Sequence, residues 1–398
     1  MRLAILGAGI TGIAAAHRLM LQGHELFLIN RGPVGGQLQA VEENGFRFDG
    51  AARVVQAATA TELKKLAAAV QVPLRHIPSG ERYLWMGDRL LSFGFFSLLK
   101  HPLTRRALAS VLVHRWWESV PCEESVAQFA RRKFGSEVAD LFFDPLVRSI
   151  YGGEMEEISL QAGLSRPKQK GGQKGLLLPE GGFSHFVQRV ASLFPGKTLI
   201  EDEAVSLARE GNQMVVHLKE REPLKVDRII SALPAHALAP IVCQGAPQLA
   251  TDLKSILYRD LQVVHLGYHR AQKSVQGFGY LVPSRFQQQG VLGVVFDSDL
   301  DGTSDQQQRL TAMVRPEVAD ATAAALQAVQ SHLGIAQPPD FLYAECKKRA
   351  IPQPRLGHLA LVQRICTAAE DLGITVAGDY LPRPGIAACL ASAAAATP

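Results

Sequence analysis

Gly7, Gly9 and Gly12 stand in Leu3-Ala-Ile-Leu-Gly7-Ala-Gly9-Ile10-Thr11-Gly12, where an apolar strand runs into a glycine-spaced turn and then a helical segment. Each glycine has its own task. Gly7 lets the chain leave the strand tightly, Gly9 leaves room for a pyrophosphate beside the backbone, and Gly12 lets the following helix pack closely on the sheet. The N-terminus of that helix, read as residues 13–22, then offers unpaired N–H groups and the positive end of its dipole to a phosphate, with Ile10 and Thr11 in the turn before it counted among the cofactor residues. This is the chemistry of a dinucleotide cofactor. The second strand, Glu25-Leu-Phe-Leu-Ile29, ends in Asn30-Arg31 where an acid would be expected to bind the adenosine ribose. An amide can still bond a hydroxyl, without the strength of a charged acceptor. Arg31 beside a 2′-phosphate would be the alternative.

A second glycine pair, Gly35-Gly36-Gln37, follows at once, and then Asn44-Gly45-Phe46-Arg47-Phe48-Asp49-Gly50-Ala51-Ala52. A nicotinamide domain has no use for that second pair. A flavin, which needs close backbone contact at both its pyrophosphate and its ring, does. This stretch resembles the flavin-containing amine oxidase superfamily, in which the second glycine pair lies by the pyrophosphate and the 50–52 segment passes near the isoalloxazine.

Further motifs follow in order: Asp144-Pro-Leu-Val-Arg148-Ser-Ile-Tyr151-Gly-Gly, Leu178-Pro-Glu-Gly-Gly-Phe183, Gly277-Phe278-Gly-Tyr-Leu-Val-Pro283, Leu292-Gly-Val-Val-Phe-Asp-Ser298, Ala350-Ile-Pro-Gln-Pro-Arg355-Leu-Gly-His358 and Ala377-Gly378-Asp379. Together they resemble the oxygen-dependent protoporphyrinogen and coproporphyrinogen oxidases. The resemblance implies FAD as cofactor, a porphyrinogen substrate, molecular oxygen as acceptor and hydrogen peroxide as by-product. It implies that Gly378 and Asp379 meet the ribityl and pyrophosphate, that Gly385 and Ile386 open the last cofactor helix, and that the Val205 backbone meets the adenine. The flavin would perform the redox step, so no side chain is assigned as catalytic. Substrate propionates need cations, and the arginine fork suits a carboxylate. Arg148 and Arg355 are the candidates, with Tyr151 and Phe278 packing on the macrocycle. Alternatives within the superfamily are an amine oxidase, a carotenoid desaturase or a sugar-nucleotide mutase. A non-catalytic flavin-fold protein is the alternative outside it. Asn30 and the early end after Ala393-Ala-Ala-Ala-Thr-Pro398 would weaken flavin retention.

These residues must be positioned by a chain of 398 residues, enough for two or three domains. The expected class is α/β: a Rossmann-like FAD-binding domain with an inserted helical domain and an α+β substrate domain. The cofactor domain is expected to be discontinuous, from residues 1–70, 182–250 and 345–398. Residues 71–181 would form the helical insert and 251–344 the substrate-binding sheet. Within the insert, Phe93 to Trp117 interleaves aromatic and aliphatic residues with Lys100, His101, Arg105, Arg106 and Arg115. That pattern suits an interfacial helix pair on an anionic membrane surface, or a helical lid packed on its own protein.

A net charge of +5 suits an anionic substrate or surface, and no base-reading module accompanies it, which argues against nucleic acid. The five cysteines are scattered with no CxxC, and the twelve histidines show no ligand spacing, so no metal is expected and a reducing, cytoplasmic setting is. No signal peptide and no apolar run of about 18 residues is present. A homodimer, or handover to the next heme-pathway enzyme, is left open.

Overall fold

The computed structural model describes the chain except residues 51–52, 79, 95–96, 98–100, 106–122, 165–173, 271–272, 382 and 398. A five-stranded parallel sheet carries strands in the order β10 (Leu199–Glu201), β2 (Glu25–Asn30), β1 (Arg2–Leu6), β14 (Arg228–Ser231) and β20 (Ile374–Val376). Such a sheet is buried on both faces, and β1 reads accordingly: Leu3, Ala4, Ile5 and Leu6 are all buried. Helix α1 (Ile10–Leu21) covers one face with Ile13, Ala16 and Leu19, and the C-terminal helix Ile386–Ala395 lies against it. The other face packs on helices Ala235–Val242 and Pro247–Ser255 and on a meander of β11 (Ala204–Glu210), β12 (Gln213–Leu218) and β13 (Leu224–Val226).

A seven-stranded sheet forms the second body, in the order β19 (Phe341–Pro352), β15 (Tyr258–Tyr268), β18 (Gln308–Val314), β17 (Val291–Phe296), β16 (Gly279–Leu281), β7 (Arg82–Trp85) and β8 (Leu90–Ser92). Alternation divides it into two faces. Val264, Leu266, Leu310, Ala312, Val294, Phe296 and Tyr280 point to one, which helix Ala321–Leu333 covers with Ala325, Ala328 and Val329. The opposite face carries Val263, His265, Thr311, Met313 and Val295. At one end the hairpin β3 (Val41–Glu43) and β4 (Phe46–Phe48) lays Phe46 and Phe48 over it. At the other end Leu84 and Leu281 meet Val138 and Leu141 of the helical region. A small sheet of β5 (Val55–Gln56), β9 (Leu176–Pro179) and β6 (Leu74–Ile77) joins the two bodies.

The expected boundaries therefore shift. The hairpin of residues 82–92 belongs to the seven-stranded sheet, not to the expected helical insert, and β19 carries that sheet on to Pro352. Local pattern marks these segments as strands. It carries no information on partners nearly two hundred residues away, which is where β7 finds β16. The Phe93–Trp117 stretch lies mostly outside the described residues, and no helix among the described residues is long and apolar enough to cross a membrane.

Candidate cofactor and substrate site

The carboxyl ends of β10, β2, β1, β14 and β20 lie side by side, the edge of an open parallel sheet at which ligands bind. Gly7 leaves β1 at φ +97°, a conformation that strains any residue with a Cβ. A Cβ on Gly12 would fall deep inside contact with the Gly7 carbonyl oxygen, so turn and helix pack as closely as the backbone permits. Gly9 caps α1, and a Cβ placed there would meet nothing within 4 Å. The space above Gly9 is thus open. The first turn of α1, from Ile10 through Thr11, has neither a side-chain cap nor an acidic residue.

The second glycine pair closes onto this turn. Gly35 bridges Gly9, its N–H donating to the Ala8 carbonyl at 2.8 Å, and Gly36 at φ +55° lies against Gly9. Gln37 Nε2 donates to the carbonyl of Ala350 at 3.2 Å, tying this loop to the end of β19. Gly50 is buried beneath the Gln37 and Gln39 carbonyls, where a side chain would not fit. Ala51 and Ala52 lie outside the described residues.

Three more pieces reach the same edge. The β11–β12 pairing steps from Ala204–Leu218 to Ser206–His217, so Val205 is the bulged residue, passed over by the ladder and with its side chain 45% exposed. Gly378 donates its N–H to Ser392 Oγ at 3.1 Å, linking the end of β20 to the C-terminal helix that starts after Gly385. Ile386 itself points into the core. Burial pushes the Asp379 carboxyl up to about 6, and among the described residues it receives a hydrogen bond only from its own backbone. An open glycine cradle, an uncapped helix start, a bulged backbone and an unspent carboxyl are what an elongated dinucleotide needs. The residues present fit FAD.

Asn30 departs from the expectation that it faces the ribose. Its Oδ1 accepts from the Ala8 N–H at 2.9 Å and its Nδ2 donates to the carbonyls of Gly32 and Pro33. Arg31 faces outward and pairs with Glu203 at 3.5 Å.

The substrate candidates separate. The Arg148 guanidinium is spent within the helical region, on Asp144 at 2.7 Å and on both oxygens of Glu154. Asp144 in turn accepts from the backbone and hydroxyl of Ser284 in the sheet body, so this cluster joins two bodies. Tyr151 is buried and donates its hydroxyl to the Gly163 carbonyl at 2.8 Å. These two side chains thus serve the framework that the motif builds. Arg355 is half exposed, with Glu157 4.0 Å away. Phe278 is half-buried, with the Arg82 guanidinium 5.2 Å over its ring. Arg82 was missed because its signal, one cation before an aromatic strand, occurs on many surface strands. His358, at the end of the 350–358 motif, is buried and bonded to the Tyr380 carbonyl at 2.9 Å.

A buried polar chain crosses from the cofactor-side loop to the sheet. Arg53 pairs with Asp297 and donates from Nη2 to Thr311 Oγ1 at 2.8 Å, and Thr311 donates to Asp297 Oδ2 at 2.6 Å. Thr311 has one proton to give, so the 2.9 Å contact with His265 Nδ1 makes Nδ1 the donor. Burial, with the Arg53 and Lys347 cations adding to it, pushes His265 down to about 2 and keeps the ring neutral. Beside this chain a cavity of about 550 Å³ lies between Leu74, Leu178 and Leu300, with Arg47, Arg75 and Arg309 at its walls. Among the described residues no cluster could hold a metal ion.

This is the fold and cradle of a flavin-binding oxidoreductase. Residues 10–334 match the family model of flavin containing amine oxidoreductases, and the chain belongs to that family. It is a flavin-dependent oxidoreductase with FAD as its cofactor. Among curated proteins it is 28% identical to the protoporphyrinogen oxidase of Macaca fascicularis, over 98% of this chain and 96% of the relative. It is 24% identical to that of Schizosaccharomyces pombe, over 90% and 89%. Among solved structures, a protein from Exiguobacterium sp. 255-15 provisionally assigned as a protoporphyrinogen oxidase superposes with a TM-score of 0.82 at 19% identity, covering 98% of this chain and 96% of the other. A reduced UDP-galactopyranose mutase superposes almost as well, at 0.80 and 16% identity, covering 98% and 93%. The fold alone therefore does not choose among the chemistries of the superfamily.

Proposed function

We propose that this protein is an oxidase of heme biosynthesis that converts protoporphyrinogen IX, or coproporphyrinogen III, to the porphyrin with oxygen as final acceptor. The observation that carries the reading is the match to curated protoporphyrinogen oxidases along nearly the whole of both chains. The bound flavin supplies two-electron acceptance, and three rounds remove the six electrons and six protons that separate porphyrinogen from porphyrin. Three molecules of oxygen leave as hydrogen peroxide.

The protein's part is to bind and orient. Gly7, Gly9, Gly12, Gly35, Gly36, Gln37, Gly50, Val205, Gly378 and Asp379 hold the cofactor. Phe278 offers an apolar ring to the macrocycle, with Arg82 of the seven-stranded sheet and Arg355, beyond the end of β19, as the carboxylate partners. Contact with an anionic membrane surface through the 93–117 stretch is part of the proposal, and failure of the protein to co-sediment with anionic vesicles would remove it.

The test is an anaerobic mix of FAD-loaded protein with each porphyrinogen. Bleaching of the flavin together with appearance of porphyrin fluorescence is the expected result, and the faster substrate is the physiological one. Flavin that stays oxidised with both would overturn the reading in favour of another reaction of the family.

A further inference from the structure

We infer that the ribose of the FAD adenosine is bound in this chain by Glu203, and that Asn30 is a loop bracket which a carboxylate could not replace. The inference rests on FAD occupying the cradle and not on the identity of the substrate.

Asn30 stands where strand β2 ends and a ribose-binding acid is expected. Both of its amide hydrogens point at carbonyls, Gly32 at 2.6 Å and Pro33 at 3.2 Å, while Oδ1 takes the Ala8 N–H. The bracket folds loop 31–35 back so that Gly35 lies on Gly9. A carboxylate here would keep the Ala8 bond but set an anionic oxygen against two carbonyl oxygens, each within hydrogen-bond distance and with no proton between them. The side chain needs a donor and an acceptor at once, which Asn provides and Asp or Glu at neutral pH does not.

The diol must then find another acceptor. Strand β10 runs beside β2 with Glu201 opposite Asn30, and the Asp202 N–H donates to the Asn30 carbonyl at 3.1 Å. From there the chain crosses the carboxyl edge of the sheet to the bulged Val205. Two acids lie on this crossing. Asp202 is spent on the N–H groups of Glu203 at 2.7 Å and Glu220 at 3.2 Å. The Glu203 carboxylate is not, since among the described residues its side chain meets only Arg31, in a surface pair that adds little to the fold. Arg31 instead holds the carboxylate at the end of β2, two residues before the backbone expected to meet the adenine. A carboxylate matches two vicinal hydroxyls with its two oxygens, and the ribose adjoins the adenine.

The full chain stripped of flavin is titrated calorimetrically with ADP, 2′-deoxy-ADP and 3′-deoxy-ADP, and separately with FAD by fluorescence quenching. The wild type is expected to prefer ADP by about tenfold over either deoxy form, the size of one charge-assisted hydrogen bond. In E203Q, an isosteric change at a partly exposed residue whose fold is checked by circular dichroism, that preference should shrink to under about twofold. N30D, which restores the acid, should bind FAD about tenfold more weakly. A wild type without preference, an E203Q protein that keeps it, or an N30D protein that binds FAD as tightly as wild type overturns the inference. Should N30D fail to fold, the E203Q result decides alone. A protein that shows the ribose preference yet oxidises no porphyrinogen loses the proposed activity and keeps this site.

Discussion

At the scale of single residues, the cofactor end of β20 carries a proton-linked group. Burial raises the Asp379 carboxyl to about 6 in the free protein, whereas an unfolded aspartate titrates near 3.9. In the proposed site a cofactor hydroxyl would donate to the ionised form, so binding would favour loss of the proton. FAD affinity should therefore be flat above pH 7 and fall as pH drops through 6, while D379N should show a pH-independent, weaker affinity; equilibrium titration from pH 5 to 8 reads both. The same raised value means that the ionised carboxyl costs the free protein stability above pH 6, and that this cost disappears below about 4, where folded and unfolded forms are both protonated. Gly12 gives a second prediction. Its Cβ would collide with backbone, not with a side-chain end that can yield, so G12A should lower the melting temperature and abolish FAD retention after gel filtration.

At the scale of elements, a buried ion pair bridged by the Thr311 hydroxyl of β18 is part of what ties the cofactor-side loop to the seven-stranded sheet, beside the Arg309 bond to the Arg47 carbonyl. Arg53 and Asp297 are 14% and 6% exposed, so removing either strips a buried charge of this partner. D297N should destabilise by about 3 kcal/mol, and R53M by a similar amount. The double variant should be less than additive, because neither charge then remains. T311V tests the same chain from its middle. It removes the acceptor of His265 Nδ1–H and the donor to Asp297, and should cost about 1–3 kcal/mol with the porphyrinogen KM moved less than the stability. Urea unfolding of the four proteins supplies the numbers. The Asp144–Arg148–Glu154 cluster shows the same economy: a motif that reads as substrate chemistry in the sequence is, in three dimensions, the joint between the helical region and Ser284.

At the scale of the whole molecule, the cradle is assembled from segments near residues 7–12, 30–37, 50, 205 and 378–386, which nothing but folding brings together. FAD at about a hundred times its Kd should then stabilise the entire chain by about 2.7 kcal/mol. That is visible as a rise of a few degrees in melting temperature and as slower proteolysis of both bodies. A rise confined to the five-stranded body, with the seven-stranded sheet cleaved at the rate of the free protein, would mean that the two bodies are not coupled through the cofactor.

What the sequence determines by itself is local. The strand–glycine–helix start and the second glycine pair follow from backbone geometry that few residues allow, and so a dinucleotide cradle was legible from residue types and spacing, while the Gly378-Asp379 end was read through resemblance to a known family. The role of Asn30 was not. An amide at a strand end reads the same whether it faces a ribose or braces a loop, and only the positions of Ala8, Gly32 and Pro33 separate the two. Arg148 and Tyr151 carry the same lesson, because a guanidinium and a phenol are equally suited to a ligand and to a neighbouring carboxylate or carbonyl. Membership of β7 and β19 in one sheet, and the meeting of Arg53 with Asp297, depend on contacts between residues hundreds of positions apart. Side-chain periodicity reports which face of a strand is buried. It does not report against what, and that was decided only when the chain closed on itself.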